Sequence, residues 1–106
     1  MATRTTTLAP AWLAALDEED LQFLKRFLFH SGSLKALAQD YGVSYPTVRA
    51  RLDRLIAKVR AAEDPKVGDP FERKLRVLVA DARVPAALAK ELLLAHRDAL
   101  KGRVDE

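Results

Sequence analysis

LKALAQDYGVSYPTVRARLDRLIAKV, residues 34 to 59, is the stretch whose reading decides the fold. Leu37, Ala38 and Tyr41 fall on one face of a short helix, with a small alanine where a second helix must come close. Gly42 then stops that helix, because glycine enters the left-handed conformation without a Cβ penalty. Val43 reads as an apolar plug in the turn. Ser44 is placed to cap the next helix, and Pro46 sits in its first turn, where a missing N–H costs nothing. Val48, Leu52, Leu55, Ile56 and Val59 recur at helical spacing beyond it. A short helix, a glycine turn and a longer basic helix make a helix-turn-helix, whose second helix can enter the DNA major groove.

Charge points the same way. Residues 45 to 60 hold five basic side chains (Arg49, Arg51, Arg54, Lys58 and Arg60) against one acid, Asp53, a local net of +4 in a chain of net +3. The positive charge is concentrated on one helix, as a phosphate-backbone footprint requires. On the face opposite the apolar stripe lie Thr47, Ala50 and Arg54, flanked by Arg51 and Lys58, with Arg49 on the other flank. Helix N-termini meet base edges in this motif, so Tyr45, Pro46, Thr47 and Ala50 are the expected sequence readers, with Arg51 a bidentate guanine contact. Arg49, Arg54 and Lys58 are expected on phosphates, with Ser44 and Lys35 adding backbone contacts. The bland alternative is a solvated basic face on an ordinary helical protein.

Outward from this unit the chain remains helical. Residues 1 to 9 are threonine-rich and aperiodic, and are expected to be a disordered tail. Trp12, Leu13 and Leu16 suggest a short helical turn; Asp17 then caps a helix with acids through Asp20 at its positive end. Leu21, Leu24, Phe27 and Leu28 give that helix an apolar face, widened by Phe23 and Phe29, and Gly32 ends it. The helix-turn-helix domain is thus expected over 10–62. EDPKVGDP, residues 63 to 70, is a linker too short and polar for a β-hairpin, so no wing is expected. Asp69, Pro70 and Glu72 start a further helix with Phe71, Leu75, Leu78 and Val79 inward. A last helix runs from Pro85 to a stop at Gly102, with Leu88, Leu92, Ala95 and Ala99 as its stripe and Leu93, Leu94 and Leu100 beyond it. The expected fold is all-α: a helix-turn-helix followed by a C-terminal helical hairpin over 71–102, about five helices. Leu37, Val48, Leu52 and Leu55 are its expected core.

The hairpin carries more apolar surface than one packed side needs. Either a small helical core closes over it, or a second copy covers it and residues 71–102 form a homodimer.

Composition removes several function classes. With 49% apolar residues in 106, the chain can bury a core without staples. It has no cysteine, hence no disulfide, thiolate metal site or cysteine nucleophile. No apolar run approaches membrane-spanning length and the N-terminus lacks a signal-like apolar region, so a cytoplasmic protein without a membrane partner is expected. His30 and His96 are the only histidines and no motif surrounds either. With no phosphate loop and no metal-ligand spacing, we expect no enzyme, no cofactor and no small-molecule ligand.

Residues 10 to 59 resemble a family of small bacterial proteins with a Trp-Leu lead, an acidic helix start, a Gly-Ser-Leu-Lys step (Gly32 to Lys35) and Ser-Tyr-Pro-Thr-Val-Arg (Ser44 to Arg49). GVSYPTVRARL also looks like the DNA-reading helix of sigma-factor region four and of response-regulator helix-turn-helix domains. The resemblance covers about half the chain closely and residues 70 to 101 loosely. It implies a transcription regulator bound to double-stranded DNA. Many members carry a cysteine-rich zinc ribbon before this core; no such cysteines stand here, so the ribbon's role is not carried over. The competing expectation is a helix-turn-helix fold that binds another protein instead of DNA.

Overall fold

The computed structural model describes residues 9–105, so all but the last residue of the expected tail lies outside it. Among the described residues the regular elements are six helices and no strand. They are α1 (Ala11–Ala14), α2 (Glu18–Phe29), α3 (Leu34–Tyr41), α4 (Tyr45–Glu63), α5 (Pro70–Ala80) and α6 (Ala86–Asp105). This is the all-α helix-turn-helix architecture, with α3 and α4 as its two helices.

Local chemistry sets the boundaries. Asp17 opens α2 with a reciprocal capping box: its side chain accepts from the Asp20 N–H (2.9 Å), and the Asp20 carboxylate accepts from the Asp17 N–H (3.1 Å). Ser33 caps α3 through the Ala36 N–H, Ser44 caps α4 through the Thr47 N–H, and Asp69 caps α5 through the Phe71 N–H. Three helices end in the same left-handed closure. After α3, Gly42 has φ 70° and the Val43 N–H returns to the Ala38 carbonyl at 3.0 Å. After α2 the pair Ser31 (φ 55°) and Gly32 (φ 81°) does this, and after α5 it is Ala82 (φ 61°).

The core of the helix-turn-helix body is Leu16, Phe23, Leu37, Ala38, Val48 and Leu55, with Leu37 fully enclosed. Trp12, Leu24, Phe27, Leu52 and Val59 pack half-buried around it. Glu63 near the end of α4 accepts from the Trp12 N–H (3.2 Å) and so holds α1 in place. α5 lies along α4, with Leu75 and Val77 buried beside Ala62 and Val67. Arg73 of α5 donates to the carbonyls of Ala62 (2.8 Å), Asp64 (3.0 Å) and Val67, satisfying the end of α4 and the linker together. α6 packs on α5 through Ala89, Leu93 and His96.

Several expected faces are rotated. In α2 the inward side chains are Asp20 and Phe23, with Leu24 and Phe27 half-buried, while Leu28 and Phe29 are 65% and 76% exposed. In α4 Leu52 is only half-buried. Val43 is 42% exposed, so its backbone closes the turn while its side chain only partly covers it. Phe71 is exposed at the start of α5, where its ring lies 4.3 Å from that of His96. Gly102 does not stop α6, which continues to Asp105. The stripe Leu88, Leu92, Ala95 and Ala99 faces solvent instead of the protein. None of the described helices is long and apolar enough to cross a membrane.

Candidate nucleic-acid interface

The first two turns of α4 form an open surface. Ser44 ends the turn in extended backbone; its Oγ accepts from the Thr47 N–H (3.3 Å) and meets the Thr47 hydroxyl at 2.8 Å. Val48 points inward and is 2% exposed, and this anchors the rotation of the helix. The remaining side chains at this end, Tyr45, Pro46, Thr47, Arg49 and Ala50, are therefore turned out. Arg49 is ion-paired to Asp53 one turn on (3.1 Å), with both groups half in solvent. Arg54 is exposed and has no ion pair among the described residues. Lys35 stands exposed in the first turn of α3. Eight of the ten expected contact residues (Lys35, Ser44, Tyr45, Pro46, Thr47, Arg49, Ala50 and Arg54) are thus accessible.

Two are not free. Lys58 is 2% exposed, and its ammonium lies between Asp20 of α2, in direct hydrogen bond, and Asp81 at the end of α5 (3.3 Å). No phosphate can reach it, so its expected backbone contact is withdrawn. Burial pushes the Asp20 carboxyl upward. The Lys58 hydrogen bond, the Asp17 N–H and the charges of Lys58 and Arg51 outweigh burial, and the group sits below its usual 3.8. Lys58 behaves reciprocally: burial lowers it, the hydrogen bonds and charges of Asp20 and Asp81 raise it, and it ends above its usual 10.5.

Arg51 is the second correction. Its guanidinium is 3.4 Å from Asp20 and lies 5.4 Å from the centre of the Phe23 ring, so it faces the body of the protein. A bidentate guanine contact would require it to leave both partners. A signal for both residues was present in the sequence. Val48, Arg51, Leu55, Lys58 and Ala62 are spaced 3, 4, 3 and 4, the rhythm of a buried seam. All but the half-buried Arg51 are buried. Two cations at inward positions demand acids opposite them, and Asp20 and Asp81 supply these.

A parallel stack supports the turn from behind. The rings of Phe23 and Tyr41 lie 6.0 Å apart and nearly parallel, with the Arg26 guanidinium 4.8 Å from the Tyr41 ring centre. His30, at the end of α2, meets Asp40 of α3 at 3.1 Å. These contacts fix α3 against α2 and so set the angle at which α4 leaves the body. Among the described residues no cluster of three His, Cys, Asp or Glu side chains could hold a metal ion.

No curated protein and no solved structure matches the chain. Residues 16–62 match a family model described as "Domain of unknown function (DUF2089)-HTH". The matched span runs from Leu16, just before the capping box of α2, to Ala62, near the end of α4, and so takes in α2, α3 and nearly all of α4. Over that span the chain is similar to a helix-turn-helix family.

Proposed function

We propose that this protein is a sequence-specific DNA-binding transcription regulator that lays the first turns of α4 in the major groove. The observation carrying this reading is the open face of α4. Tyr45, Pro46, Thr47 and Ala50 are all exposed at the N-terminal end of the second helix of a helix-turn-helix, with Arg54, which has no ion pair among the described residues, one turn beyond. Tyr45, Thr47 and Ala50 set base preference through apolar contact with thymine methyls and through the Thr47 hydroxyl. Arg49, Arg54, Ser44 and Lys35 hold the phosphates on either side. Arg51 acts from behind, as the link between the reading helix and Asp20.

The protein works in the cytoplasm as a homodimer through the C-terminal helices, without catalytic activity or cofactor. Two copies matched to two half-sites give the affinity that one basic helix lacks. Selection of bound duplexes from a random pool tests the reading. A recurrent motif is expected, with two inverted half-sites. Recovery of no enriched sequence at low salt would instead favour a protein-binding module, a reading to which the exposed Leu28 and Phe29 of α2 lend support.

A further inference from the structure

The outward side of α6 is unusually ordered for a solvent face. Leu88 and Leu92 are 44% and 41% exposed, and Ala95 and Ala99 are exposed too. Their spacing is 4, 3 and 4, the alternation of a coiled-coil seam. The inward line, Ala89, Leu93 and His96, lies about 100° around the same helix. His96 is clamped to Asp69, the N-cap of α5 (2.7 Å), and Arg97 to Glu72 (3.2 Å). These clamps fix the rotation of α6 and leave the seam turned away from the body. The molecule is correspondingly extended: its radius of gyration is 17.4 Å, against about 13 Å for a compact domain of this length.

The geometry points to a second copy of this chain as the occupant, with the two α6 helices side by side, parallel and in register. Direction follows from charge. The flank of the seam on the side away from the body carries Glu91 and Asp98, while the flank toward the body carries Ala89 and His96. An antiparallel pair sets like flanks together, so Glu91 and Asp98 would confront the same two acids of the other copy. A parallel pair sets unlike flanks together, so the acids of one copy, Glu91 and Asp98, no longer confront the same acids of the other. Ala95 and Ala99 let the helix backbones approach closely along the second half of the seam. Helix α6 is 20 residues and so about 30 Å long. This is a short interface, so the dimer is reversible and depends on protein concentration. Parallel pairing also sets both helix-turn-helix units at the same end of the two-fold axis.

This inference rests on the homodimer proposed above, and its test leaves DNA out so that the two can fail separately. The chain has no cysteine, so single cysteines report cleanly. In a parallel pair, Leu88→Cys meets Leu88→Cys, and Ala99→Cys meets Ala99→Cys. In an antiparallel pair position 88 lies opposite position 99 of the other copy. Each variant oxidised alone should give a disulfide dimer, and a mixture of the two should give no mixed disulfide. Both positions are exposed, so neither change disturbs the core. Sedimentation of the unmodified chain should show reversible dimers, and Ala95→Glu should give monomers with unchanged helix content. Mixed disulfides alone would overturn the parallel seam while leaving the dimer. A chain monomeric at millimolar concentration, or an Ala95→Glu variant still dimeric, would overturn the seam altogether.

Discussion

Lys58 brings a charge into the interior and is matched by two carboxylates from elements far apart in sequence, Asp20 of α2 and Asp81 after α5. Such a group stabilises little relative to a well-packed apolar replacement, but removing one partner strands the others without solvent. Lys58→Ala should therefore cost about 3–5 kcal/mol in denaturant unfolding. Were Lys58 a phosphate ligand, the same change would leave stability intact and weaken DNA binding alone. The cluster also fixes the response to pH. Asp20 is held below its usual 3.8, so its contribution is complete above that value and is lost as pH falls through it toward the lowered one. Lys58 is held above its usual 10.5, so its contribution is complete below that value and is lost only at higher pH. Between these limits the pair should add no slope. Unfolding midpoints of the wild type and Asp20→Asn, compared from pH 2 to 7, should converge at the acid end. A constant difference down to pH 2 would contradict the ion pair.

At the scale of elements, the turn residues carry strain that can be measured. Ala82 closes α5 at φ 61°, a conformation that costs an L-residue about 1–2 kcal/mol and glycine nothing. Glycine's greater freedom in the unfolded chain takes back part of that, so Ala82→Gly should stabilise by about 0.5–1 kcal/mol. Gly42→Ala, at φ 70° with open space around the added carbon, should destabilise by about 1 kcal/mol through backbone strain alone. A neutral Gly42→Ala would mean that the turn relaxes to another conformation. These boundaries were legible in the sequence, because caps and stops are local chemistry: Asp17, Ser33, Ser44, Asp69 and Gly42 all act as expected. Rotations were less legible. Counting only apolar side chains as inward in α4 turns Lys58 and Arg51 outward, whereas both face the acid Asp20. In α6 both apolar lines have helical spacing, and only the clamps from Asp69 and Glu72 decide which of them faces the body. Gly102 failed as a stop because no left-handed turn follows it, and glycine alone does not end a helix.

At the scale of the molecule, one flattened body, 58 × 44 × 20 Å, carries the two faces on which the proposals rest: the N-terminal end of α4 and the outward stripe of α6. Arg73, the Lys58 cluster and the His96 and Glu72 clamps join them into a single unit. Arg76 and Arg97 hold the Glu72 carboxyl below its usual 4.5, the Arg76 hydrogen bonds contributing most. Truncation at residue 69 should therefore do more than remove the outward face of α6, because it strands Lys58 without Asp81 and leaves Ala62 and Val67 uncovered. Thermal unfolding of that truncation should fall well below that of the full chain, whereas Ala95→Glu, which targets the seam only, should unfold as the wild-type monomer does. The central claim is that α4 binds DNA with its exposed face, and its most direct measurement is affinity for a selected duplex across a salt series. The wild type, Arg54→Ala and Thr47→Ala should be compared. Arg54→Ala should flatten the slope of log affinity against log salt by about one unit and weaken all sequences alike. Thr47→Ala should leave the slope unchanged and relax preference at one base pair, by about 1–3 kcal/mol. No binding above background at low salt, or two substitutions without effect, would contradict the account.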